Sequence, residues 1–170
     1  MISKSDYDSE EWVEVVAGPY FSALYIVVAD QNFSYFKEIA AMTRAMLDSA
    51  AKTDNELIKA ISVDVSAKDT QEEIRRQFEA MKEHKDPAAL NAAIVQKITG
   101  AADIVTTKDE DDGRAYRAWL IYLAEATAEG SREGGVLGIG AVRVSDKEKQ
   151  GLEELATQLG LCLLYTSDAA

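Results

Sequence analysis

Cysteine, histidine and proline are almost missing from this chain, and each shortage closes a class of function. One cysteine (Cys162), one histidine (His84) and two prolines (Pro19 and Pro87) stand among 170 residues. A single cysteine offers no internal disulfide and no Cys-based zinc site. A lone histidine cannot form a His-based metal pair, and no third group that would orient it for nucleophilic catalysis is recognisable. His84 lies between Glu83 and Lys85, the setting of a surface residue near a helix end. Long apolar runs are missing too: Tyr20 to Ala29 is the longest, about half of the ~20 residues a membrane-crossing helix needs. The opening Met1-Ile2-Ser3-Lys4-Ser5-Asp6 has neither the basic nor the apolar region of a secretion signal. These absences predict a cytoplasmic chain with no membrane span.

Positive charge is scarce as well. Eighteen Lys and Arg face thirty Asp and Glu, a formal charge of −12. Nucleic-acid affinity comes mainly from cations that neutralise phosphates, so this balance argues against DNA or RNA as a partner. The last nine residues, Cys162 to Ala170, read as a translated sequencing adapter. Setting them aside removes the cysteine and one acid, Asp168, which changes −12 to −11. The expected organisation is one domain over residues 1–161 followed by a non-native tail. With 47% hydrophobic residues and a length that buries roughly 70% of the unfolded surface, a single core is expected.

Periodicity then divides the chain into helices. Asp8 and Glu11 have the spacing of a reciprocal N-terminal cap, with Trp12, Val15 and Val16 on one face behind it. This predicts a short helix over about 9–17, ended by Gly18-Pro19, and a second over 19–29 that is apolar nearly all round and so central. Phe33, Phe36, Ile39, Ala40, Met42, Ala45, Met46 and Leu47 form the stripe of a third. Thr53 or Asp54 caps a short helix with Leu57, Ile58, Ile61 and Val65. Asp69 or Thr70 opens a charged helix over about 71–85 whose Ile74, Phe78 and Met81 make a narrow seam. Asp86-Pro87 starts the next, Asp109 to Asp112 lead into one holding Tyr116, Trp119 and Leu120, and Ser145 with Glu148 opens the last, which Gly160 stops. The result is an all-α, single-domain globular bundle of seven or eight helices.

One stretch breaks the helical pattern. Residues 130–144 hold half of the ten glycines, interleaved with Val136, Leu137 and Ile139. Loops are ordinarily polar, so an aliphatic glycine loop reads as a structural connector or a partner-binding surface carried by Val136, Leu137, Ile139 and Arg143. It fits neither a dinucleotide fingerprint nor a phosphate loop. The acids Asp109 to Asp112 do not fit a calcium loop either: counted from Asp109, Arg114 is sixth where glycine is required and Leu120 twelfth where an acid is. They read as a solvated, dipole-favoured helix start.

Two resemblances follow from these segments. Asp30, Ser34 and Glu38 in the first half, and Glu129, Ser145 and Glu148 in the second, share the order apolar helix, acid, serine, acid. The pattern resembles the duplicated acidic loop of tellurite-resistance TerB-type helical domains, and departs from it at Gln31, where that family has glycine, and in the long second loop. The resemblance implies divalent-metal ligation by Asp30, Glu38, Glu129 and Glu148. Separately, Ser5-Asp6-Tyr7-Asp8-Ser9-Glu10-Glu11-Trp12, Gly18-Pro19, Val28-Ala29-Asp30 and the run from Glu133 to Ser145 resemble a family of uncharacterised bacterial proteins, which implies only a cytoplasmic helical fold. Two expectations result: a non-enzymatic domain that binds a protein partner or self-associates, with no cofactor, or an acidic metal-binding domain. Catalysis ranks behind both, because only carboxylates are left to perform it.

Overall fold

Among the described residues, apolar spacing and helix caps lay out seven α-helices: α1 (Ser9–Ala29), α2 (Tyr35–Lys52), α3 (Glu56–Asp64), α4 (Lys68–Met81), α5 (Pro87–Lys108), α6 (Glu110–Gly130) and α7 (Asp146–Gln158). They come from a computed structural model that describes residues 2–29, 35–130 and 146–161, with only the backbone for 35–38. No strand occurs among the described residues. The helices enclose one core: α1 lies along α5 and α6, α2 lies on α6, and α3, α4 and α7 cover the remaining flanks of α1.

Several boundaries are set by local chemistry. At α1, Asp8 Oδ1 accepts the backbone N–H groups of Glu10 and Glu11, while Glu11 Oε2 accepts the Asp8 N–H at 3.1 Å. This satisfies donors that the first helical turn would leave orphaned. Asp86 caps α5 through the Ala89 N–H at 2.9 Å, with Pro87 in the first turn. After α7, Gly160 adopts φ 68°, and the Leu161 and Gly160 N–H groups donate to the carbonyls of Ala156 and Thr157. That 6→1 and 5→2 pair ends the helix in a Schellman motif.

The two helices expected over 9–17 and 19–29 are one. α1 runs through Gly18-Pro19 without a break. Pro19 has no N–H to give the carbonyl of Val15, four residues back, and an unmet carbonyl at such a buried site is costly. The hydroxyl of Tyr116 on α6 supplies the missing donor, reaching Val15 O at 2.6 Å from a wholly buried position. Burial, foremost, pushes that phenol well above its ordinary pKa, so it keeps its proton. Gly18 makes room, since a Cβ there would overlap Tyr116 Oη. A tertiary hydrogen bond thus carries the helix over a residue that usually ends one.

Smaller corrections concern three other elements. α3 is capped by Asn55, whose Oδ1 accepts the Ile58 N–H, and not by Thr53 or Asp54. α4 begins at Lys68 and ends at Met81, after which Lys82, Glu83 and His84 close in short i→i−3 turns. Leu47, expected in the core stripe of α2, is 58% exposed, because Met42, Ala45 and Met46 already turn into the core and the next position rotates about 100° away.

Asp112 also departs from the solvated reading. Its carboxylate is buried where three segments meet, accepting the Ile2 N–H at 2.8 Å and Asn55 Nδ2 at 2.9 Å. Both tryptophans act in a comparable way: Trp12 Nε1 donates to Asp64 and Trp119 Nε1 to Ser49 Oγ, each at 2.8 Å. By length and composition α1 could cross a bilayer. Most of its apolar surface, however, forms the centre of the bundle, as the all-round pattern of residues 19–29 predicts.

Candidate functional site

The expected site residues fall in different places. Val136, Leu137, Ile139, Arg143 and Asp30 lie outside the described residues, and Glu38 is described only as a backbone position in α2. Glu129 is exposed at the rim of a shallow depression between α2 and α6, beside Arg44, Asp48 and Tyr122. Glu148 is buried in the first turn of α7, 4% exposed and engaged by neighbours. Among the described residues no three His, Cys, Asp or Glu side chains gather as a metal-binding set.

The concavity with the most definite chemistry lies between α1, α2 and α4. Tyr20, Phe21 and Leu24 form its floor, Ile39 one end, and Ile74 and Phe78 its outer wall, with Gln71 and Arg75 at the mouth. Its volume is about 250 Å³. α4 produces it. Of the seam Ile74, Phe78 and Met81, only Met81 is fully buried, and the other two remain half-buried at the edge of the groove. Periodicity marks Ile74 and Phe78 as inward-facing, yet gives no sign that the space they face is left partly open. The available signal is Arg75, a cation adjoining the apolar stripe of a helix with few large apolar residues.

Charge around the groove is distinctive. Arg76, Arg114 and Arg117 each pair with a carboxylate, whereas Arg75 is exposed and forms no ion pair among the described residues. Lys82 stands 4.7 Å over the Phe78 ring while bonded to Glu79 at 2.7 Å. Residues 71, 74, 75, 78 and 82 share one face of α4 and its C-terminal turn by their spacing.

Two other recesses contain polar side chains that pair with one another. In the shallow trough between α5 and α7, Tyr25 Oη donates to Glu154 Oε2 at 3.4 Å, and Gln150 Nε2 bonds the other oxygen. Burial first, then the Glu154 charge, raises the Tyr25 pKa. Between α1, α4 and α5, Glu14 binds Lys97 through both oxygens and accepts from Gln77 Nε2, with His84 exposed along the same recess. Glu14, Lys97 and Glu154 thus have partners, whereas Gln77 Oε1 is buried with none among the described residues. Comparison with family models, curated proteins and solved structures returns no match.

Proposed function

We propose that this chain is a non-enzymatic, cytoplasmic helical binding domain that engages a protein partner through the groove between α1, α2 and α4. The observation that carries the reading is the apolar wall of α4: Ile74 and Phe78 line a recess floored by Phe21 and Leu24 and open to solvent. A concavity lined mainly by apolar side chains with a few placed polar groups is the usual form of a binding site. A helix-lined groove suits an apolar anchor side chain of a bound segment. In the other two recesses the charged groups Glu14, Lys97 and Glu154 already have partners, and nothing in the placement of Glu129 and Glu148 favours metal binding over the groove.

Panning a random peptide display library against the immobilised chain tests the reading. Wild type should enrich binders that Ile74→Asp fails to capture, while the helical circular-dichroism spectrum of the variant stays unchanged. Ile74 is half-buried at a rim, so the substitution changes the wall without emptying the core. No enrichment on wild type, or the same enrichment on both proteins, would overturn the proposal.

A further inference from the structure

We infer that the groove between α1, α2 and α4 recognises a peptide segment carrying a bulky apolar side chain with a carboxylate beside it, the apolar group entering the recess and the carboxylate meeting Arg75. The inference rests on the binding function proposed above and adds the chemistry of the ligand.

Size selects the kind of occupant. Cofactor and small-molecule pockets span roughly 300–1,000 Å³ and enclose most of the ligand. This recess, at about 250 Å³ and open along one side, is scaled to an anchoring side chain whose backbone stays outside. Phe21, Leu24, Ile74 and Phe78 supply apolar contacts on two sides of such an anchor.

Charge selects what accompanies the anchor. The chain has thirty acids for eighteen bases, yet the guanidinium at the mouth of this groove has no carboxylate partner among the described residues. A guanidinium presents a planar fork of donors that matches a carboxylate in bidentate geometry. Gln71, one turn earlier, can donate to the same group, while the Lys82 ammonium over Phe78 is already paired with Glu79. A cationic ligand would find Arg75 repulsive at the point where it must approach.

The same charge disfavours a second copy as occupant. Two bodies of −12 repel each other as wholes, whereas a short segment brings only the acid that Arg75 receives.

The experiment uses the peptides selected on wild type. They should be enriched in Asp or Glu near a large apolar residue relative to the starting library. A synthetic peptide of the selected sequence should lose about tenfold in affinity for Arg75→Glu, the scale of one charge-assisted contact. Replacing its acid with Lys should restore binding to Arg75→Glu and weaken binding to wild type. Arg75 is exposed, so its reversal leaves the core intact. Selected peptides with no excess of acid, or equal affinity for wild type and Arg75→Glu, overturn the inference. If binding is still lost in Ile74→Asp, the groove remains a binding site and only the carboxylate preference falls. Failure to select any peptide removes the binding function itself. Sedimentation of wild type as a dimer that Ile74→Asp converts to monomer also overturns the inference, since the occupant is then another copy.

Discussion

Gly18, Pro19 and Tyr116 form a unit in which each residue depends on the others. Tyr116→Phe strands the Val15 carbonyl, and the expected cost is about 1–3 kcal/mol in chemical denaturation. Pro19→Ala returns a backbone N–H four residues after Val15, so Tyr116→Phe should cost clearly less in that background. Additive effects in the double mutant would refute the compensating role of the hydroxyl. Gly18→Ala, ordinarily favourable within a helix, should destabilise here, because its methyl group takes the place of Tyr116 Oη. None of this was legible in the sequence. Gly-Pro is a local stop signal, and the donor that overrides it lies 101 residues away.

Among the helices, the ends that could be read from sequence are those whose capping partners lie within a turn. Asp8 with Glu11, Asp86 with Pro87, and Gly160 all behave as their spacing predicts. The start of α3 is not fixed by spacing, because Asn55 competes with two capping residues next to it, Thr53 and Asp54. What distinguishes it is partly tertiary: its Nδ2 binds the buried Asp112 while Oδ1 caps the helix. Asn55→Ala removes both bonds, and thermal denaturation should show a loss of about 2 kcal/mol; Thr53→Ala, which removes only a bond to the Asn55 N–H, should cost less. The groove was half legible for a similar reason. The spacing of Ile74 and Phe78 gives the direction they face, but how closely α1 and α2 approach them depends on packing, which no one helix encodes.

For the molecule as a whole, titration acts at both ends of the pH scale. Burial pushes Asp64 up, but hydrogen bonds from Lys4 and Trp12 and the Lys4 charge outweigh it and hold the carboxyl below 3.8. Asp109 is lowered chiefly by the backbone N–H of Asp112. Groups depressed in the folded state contribute stability above their unfolded pKa and lose it as pH falls through the folded value. Tyr7, Tyr25 and Tyr116 are all raised from 10.0, first by burial. Their contribution is complete below the unfolded pKa and declines as pH rises beyond it. The melting temperature should therefore fall below about pH 4 and above about pH 10. Differential scanning calorimetry across that range checks this, and a melting temperature sustained well into alkali would contradict the tyrosine assignments.

The bond from Tyr116 to Val15 also bears on the order in which the protein is made. During synthesis α1 emerges from the ribosome long before α6, so its midpoint carries a carbonyl whose proper donor has not yet been translated. The nascent helix is left with a weak joint at Gly18-Pro19 until the sixth helix arrives to close it. Fragments that end before Tyr116 should keep that joint open, and amide exchange ahead of it should report on its closure.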